Sequence, residues 1–192
     1  MPLFPTLPAD ALVKDVYPIN PKLFLPWCEV EEMIMRGPSK LTPGEREMIG
    51  AFCSALNGCT YCYSSHSEAA RLLGVDEAVF TNMLEKPAEA PVRSELKPIL
   101  AFVHKLTLTP SRMVQADADA VYAAGWDEKS LQDAIMVCCC YAFMNRLADG
   151  HGLPSDPALF KERGRRHAEH GYFTQYAKEI GAKEADSKGS RP

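Results

Sequence analysis

The chain has 192 residues, 46% of them hydrophobic and 24% charged, values of an ordinary globular domain long enough to bury one core, with decorated ends. Lys plus Arg number 21 against 25 Asp plus Glu, and this acidic balance speaks against the phosphate-tracking surface that nucleic-acid binding needs. Apolar runs such as 133–144 fall short of the roughly 20 residues that cross a bilayer, and the first residues lack the basic and apolar regions of a secretory signal, so a cytoplasmic protein without a membrane partner is expected.

Residues 1–20, with Pro2, Pro5, Pro8 and Pro18 and little periodicity, predict an extended N-terminal arm. A single helical domain is expected over 21–182. The pattern from Pro21 to Arg36 predicts a helix stopped by Gly37–Pro38. Thr42, Pro43 and Glu45 then read as a capping box, with Thr42 at the N-cap and Pro43 at the first helical position. That helix should run to about Asn57 and end at Gly58, followed by a helix from Cys59 through Leu73 that stops at Gly74. Further starts are signalled at Asp76, near Ser94, at Thr109–Pro110 and at Asp127, with a stop at Gly125. A long buried helix is expected over about 130–149 and an amphipathic one over about 157–180. Alternating strand patterns are nearly absent, so the fold class is all-α. The polar end, 183–192, should be a disordered tail.

One segment carries chemistry. At 100° per residue, Cys59, Cys62 and His66 fall within about 60° of arc on one helix face. Cys59 and Cys62 lie at the helix start, where unpaired N–H groups and the helix dipole favour thiolate. On the preceding helix, Glu47 shares a side with the small residues Ala51, Ser54 and Gly58, while Met48, Ile49, Phe52 and Leu56 cluster elsewhere and predict the core face. The small side leaves room for the Cys/His face to lie over the Glu47 carboxylate. A carboxylate, an imidazole and two thiols can then pass protons along.

The pattern Glu-x11-Cys-x2-Cys-x3-His, with Leu41-Thr-Pro-x-Glu-Arg-Glu before it and Ala55-Leu-Asn-Gly-Cys-x-Tyr-Cys through it, resembles the AhpD-like branch of the carboxymuconolactone decarboxylase superfamily, more narrowly its peroxidase-related proteins. The resemblance covers about residues 40–75, with a weaker echo at 143–149. It implies an AhpD-like helical bundle with a Cys-x-x-Cys helical hairpin, homo-oligomeric assembly and thiol-dependent peroxide reduction. Its catalytic residues map to Glu47, Cys59, Cys62 and His66, and it calls for no cofactor or metal. Tyr61 stands where alkylhydroperoxidase D has a histidine, so a relay through that histidine does not carry over.

In the cycle so implied, one thiolate attacks peroxide and Glu47 holds or shuttles the proton. The position of His66 four residues after Cys62 on the same face points to Cys62 as the attacking sulfur with His66 as its proton acceptor, whereas in thioredoxin-like motifs the first cysteine attacks. Cys59, nearer the helix start and expected to be more exposed, closes a Cys59–Cys62 disulfide that an external dithiol or thioredoxin-like reductant resets. The alternatives are a non-catalytic redox sensor or stress-linked binding protein, and a carboxymuconolactone-type decarboxylase, whose chemistry has no evident use for a dithiol. A zinc site of Cys59, Cys62, His66 and Glu47 is a further reading, weakened by the lack of a second distant ligand pair. Seven cysteines, an odd number with three in a row, suit a reducing compartment rather than a disulfide scaffold. Cys138, Cys139 and Cys140 point three ways around a helix and read as core, and Cys28 and Cys53 read as inert. His104 reads as a core or interface histidine, and His151, His167 and His170 show no partner pattern. Arg146 and Asp149 are expected to pair, and 161–166 reads as a solvated or subunit-contacting basic face.

Overall fold

The computed structural model describes residues 1–84, 89–174, 176, 177 and 180, and every regular element among them is helical. In chain order these are α1 (Val13–Val16), α2 (Pro21–Arg36), α3 (Pro43–Leu56), α4 (Thr60–Leu72), α5 (Ala78–Asn82), α6 (Leu96–Leu108), α7 (Gln115–Ala123), α8 (Glu128–Gly150) and α9 (Pro157–His170). The polar end, 183–192, lies outside the described residues.

The boundaries of α3 and α4 follow from local chemistry. The Thr42 hydroxyl accepts from the Glu45 N–H at 3.2 Å and the Glu45 carboxylate accepts from the Thr42 N–H at 2.8 Å, so two donors left open at the helix start satisfy each other's residues. At the other end Gly58 takes φ +74 and the Cys59 N–H reaches the Ser54 carbonyl at 2.9 Å, a Schellman closure. Cys59 is therefore both the residue that closes α3 and the N-cap of α4. No linker separates the carboxylate helix from the cysteine helix. Gly74, at φ +94, closes α4 in the same way through the Val75 N–H and the Ala70 carbonyl.

α3 is the central helix, with ten of its fourteen residues buried and α2, α4, α6 and α8 packed around it. Met48, Ile49 and Phe52 are fully buried, each worth roughly 1.5–3 kcal/mol relative to exposure. Two helical glycines set how closely the layers approach. A Cβ at Gly50 would stand 2.5 Å from the Tyr141 ring of α8, and one at Gly164 of α9 would stand 2.6 Å from Glu68 and 2.8 Å from the Ser65 carbonyl of α4. The glycine penalty in a helix, about 1 kcal/mol, is offset by this packing.

Three expectations need correction. The segment 1–20 is not extended throughout: α1 and a 3-10 turn at Tyr17–Ile19 bury Val13, Val16 and Tyr17, and the Val13 N–H donates to the Tyr61 hydroxyl at 2.9 Å. The Thr109–Pro110 signal gives only a 3-10 turn, Pro110–Arg112, and α7 starts at Gln115. The helix expected over 157–180 is broken: α9 stops at His170, because Gly171 turns to φ +65 and the Glu32 carboxylate accepts from the next two N–H groups, at 2.5 Å from Tyr172 and 3.2 Å from Phe173, and helical residues resume at Phe173. The turn re-aims Tyr172 and Tyr176 into the core, where they are 1% and 4% exposed.

Replacing Gly50 by Ala should lower stability by about 1–3 kcal/mol, the usual cost of overpacking, because the Tyr141 ring must move. Urea unfolding reads it, and an unchanged midpoint would show that the α3–α8 approach has slack.

Candidate active site

Glu47 sits in the middle of α3 with 0% exposure, and a buried carboxylate must be compensated. Its Oε2 meets His66 Nδ1 of α4 at 2.7 Å. Its Oε1 accepts from Arg36 Nη2 at the end of α2, at 2.5 Å, and from the Tyr172 hydroxyl, at 2.8 Å. Burial alone would push the Glu47 carboxyl up, yet the hydrogen bond and charge of His66, with the Arg36 guanidinium, hold it down at about 2. Glu47 is thus held as an anion in the resting site. Arg36 also donates to the His167 carbonyl at 2.8 Å, which ties α2 to α9 across the site.

The imidazole of His66 is enclosed by aromatic groups. The Tyr141 hydroxyl lies 3.2 Å from His66 Nδ1 and 3.1 Å from the Tyr172 hydroxyl. The His167 ring stacks on His66 with centroids 5.1 Å apart and on Tyr172 at 5.0 Å. Burial, and then the neighbouring His66, push the His167 imidazole well below its ordinary value, so it stands neutral beside the dyad.

The two sulfurs are buried together at the start of α4, Cys59 at 0% and Cys62 at 3% exposure. The expectation that Cys59 is the more exposed is not met. The pair shares its protons unevenly: the Cys62 thiol and then the Cys62 backbone N–H pull Cys59 down, whereas the Cys59 sulfur and burial push Cys62 up. Of the two, the N-cap sulfur is the one on which the helix start favours negative charge. Asn145 of α8 favours the Cys62 thiolate while donating to Ser54 Oγ at 2.9 Å and accepting from Asn57 at 2.8 Å.

Beside Cys62 and His66 lies an enclosed cavity of about 20 Å³, lined also by Glu31, Tyr61, Arg163 and His167. Three polar atoms there have no hydrogen-bond partner: Glu31 Oε2, Arg163 Nη1 and His167 Nδ1. Glu31 is pushed up to about 8 by burial and by the charge of Glu47, which favours its neutral form.

All four residues read from the sequence, Glu47, Cys59, Cys62 and His66, lie in this one region. Arg36, Tyr141, Asn145, Arg163, His167 and Tyr172 were not found that way. Arg163 was read as part of a solvated face, yet it is 5% exposed, donates to the Tyr61 carbonyl at 2.6 Å and to Ser65 Oγ at 2.8 Å, and covers the Tyr61 ring at 3.6 Å. A signal did exist: Phe160, Arg163, Gly164 and His167 share one stripe at helical spacing. Arg146 bonds the Ala142 carbonyl of its own helix at 2.6 Å rather than Asp149, which lies beside Cys59. Among the described residues no group of three or more His, Cys, Asp or Glu could hold a metal ion, and Glu47 is already engaged by three partners.

Residues 21–84 match the model of the carboxymuconolactone decarboxylase family, a span from α2 to α5 that contains all four motif residues. No curated protein matches the chain. Among solved structures, an uncharacterized peroxidase-related protein from Silicibacter sp. TM1040 is similar with a TM-score of 0.72 and 25% identity, covering 80% of each chain. An alkylhydroperoxidase AhpD core protein, also described as uncharacterized and peroxidase-related, from Ralstonia eutropha JMP134 is similar in fold with a TM-score of 0.70 and 24% identity, covering 78% of each chain. The likeness read from the motif therefore holds: α2 to α5 are similar to the carboxymuconolactone decarboxylase family, and the chain has the AhpD-like helical fold.

Proposed function

We propose that this protein is a thiol-dependent peroxidase in which Cys59 and Cys62 are oxidised and Glu47 and His66 move the proton. The observation that carries this reading is the buried Glu47–His66 pair at 2.7 Å in one region with a dithiol whose protons are unevenly held. A fixed anion orients the imidazole, as a general base requires.

In the proposed cycle His66 takes one proton from the dithiol, and the charge left on the pair passes between Cys59 and Cys62. Cys62 is the attacking sulfur because it lines the cavity with His66. Its thiolate attacks one peroxide oxygen, the O–O bond breaks, and the departing alkoxide or hydroxide takes the proton from His66. Cys62 is now a sulfenic acid. The Cys59 thiol attacks that sulfur, an S–S bond forms, and water leaves with the Cys59 proton. Two thiols and one peroxide give one disulfide, one alcohol or water, and one water. An external dithiol or thioredoxin-like reductant then resets the pair by exchange.

The cavity supports the same reading. Its 20 Å³ is about the space of one water, and its unpaired donors Arg163 Nη1 and neutral Glu31 suit the oxygen of a small peroxide. A wider hollow of about 340 Å³, lined by Asn57, Asn145, Arg146, Asp149 and Gly150, adjoins the Cys59 side and offers the reductant an approach. The burial of both sulfurs favours a second reading, a redox sensor that oxidises once without turnover. Assembly into a homo-oligomer belongs to the proposal as well: Leu23, Val30 and Met33 are 55%, 36% and 65% exposed on one side of α2.

Steady-state peroxide consumption with a dithiol separates enzyme from sensor, and continuous turnover is expected. Glu47→Gln and His66→Gln should each slow it by about 10² to 10⁴, the usual contribution of a general acid–base group. Both variants within about a factor of two of the parent would remove the relay. Light scattering at micromolar concentration should give a mass that is a multiple of 21.2 kDa, and a monomer would refute the assembly.

A further inference from the structure

Away from the Cys59–Cys62 site, α3, α6 and α8 meet at a second pair of sulfurs. Thr107 of α6 places its hydroxyl 3.4 Å from Cys138 Sγ of α8 and 3.8 Å from Cys53 Sγ of α3. This hydroxyl, which also donates to the Val103 carbonyl of its own helix at 2.8 Å, therefore lies against two cysteines of different helices. Sequence separation hid this, because 84 residues lie between them and each looks like core on its own helix.

We propose that Cys53 and Cys138 are a second redox pair, which hydrogen peroxide converts to a disulfide tying α3 to α8. The chemistry of the two sulfurs differs in the way a reactive and a resolving cysteine differ. Cys138 keeps 5% exposure and Cys53 has none. The Cys53 thiol and the Thr107 hydroxyl favour the Cys138 thiolate, bringing it to about 7 against burial. The remaining candidates are disfavoured: burial pushes Cys28 up to about 12, and also raises Cys139 and Cys140. The Cys138 thiolate attacks hydrogen peroxide, the O–O bond breaks, and the departing hydroxide takes a proton to become water. The Cys53 thiol then attacks the sulfenic sulfur, the S–O bond breaks, and a second water leaves with the Cys53 proton. Two thiols lose two electrons to one peroxide.

The bridge would close next to the active-site scaffold. Cys53 precedes Ser54, which holds Asn145, and Cys138 lies one turn before Tyr141, which touches His66. Oxidation would thus fasten the two helices that frame the proton relay.

The test uses the full chain with Cys59→Ser and Cys62→Ser, so that it does not depend on peroxidase activity. After hydrogen peroxide and alkylation of free thiols, non-reducing tryptic mapping should link peptide 47–71 to peptide 130–146, with fragmentation placing the bond at Cys53 and Cys138. Adding Cys138→Ser should abolish the link, and Thr107→Val should slow its formation several-fold at pH 7. If the double variant does not fold, the parent protein serves, since a 59–62 bond leaves the two peptides separate while a 53–138 bond joins them; there, Cys53→Ser must abolish the link. Recovery of Cys53 and Cys138 as alkylated thiols overturns the proposal. So does a bond to Cys139 or Cys140, or Cys138 ending as sulfinic acid with Cys53 free.

Discussion

A carboxylate with no water around it must be neutralised by something fixed, and the Glu47 carboxylate sets that requirement for most of this fold. Stripping a charge of its hydration costs several kcal/mol even after relaxation. Here Arg36, His66 and Tyr172 share the task from three different elements. α2 must end where its last residue reaches Oε1, α4 must lie over α3, and the chain must turn at Gly171 to bring Tyr172 back. Removing one partner would leave the others holding an incompletely paired charge. The site and the packing of the bundle are therefore one problem with one solution.

The joint between α3 and α4 shows how little chain this needs. Because Cys59 closes α3 through the Ser54 carbonyl and also starts α4, the distance and angle between Glu47 and the first sulfur are fixed by a single Schellman turn. Gly58 makes the turn affordable to the backbone. Gly50 and Gly164 do the same for the approach of α8 and α9, whose Tyr141, Asn145, Arg163 and His167 complete the enclosure. Rigid helices rather than loops carry every group that touches the dyad, apart from Tyr172, which follows α9 directly.

What could be read in the sequence was what is local. Thr42, Pro43, Glu45, Gly58 and Gly74 announce their helix ends within three or four residues, and the 3.6-residue period alone places Cys59, Cys62 and His66 on one face. Glu47 was reachable because its helix precedes that face with a small-residue side. Arg36, Tyr141 and Tyr172 were not, since each meets the site from 11, 94 and 125 residues away in sequence and nothing in its own neighbourhood marks it. Arg163 was misread because its neighbours Lys161, Glu162, Arg165 and Arg166 are charged, although burial is a property of one stripe of the helix and not of a run. The second sulfur contact, Cys53 with Cys138, was hidden by the 84 residues between them.

The central claim is that Glu47 is a buried anion held by its partners, and its own titration tests it most directly. The sign of the linkage is set by a carboxyl lowered from 4.5 to about 2: its stabilisation is complete above about 4.5 and is lost as pH falls through 2. Carbon-13 NMR of the labelled side-chain carboxyl, assigned with Glu47→Gln, follows it while the protein stays folded. The account predicts a carboxylate that remains ionised through pH 4 and below. Protonation in the ordinary range near 4.5, or above it, would contradict the account, because it would mean that Arg36 and His66 do not hold the charge on which the site is built.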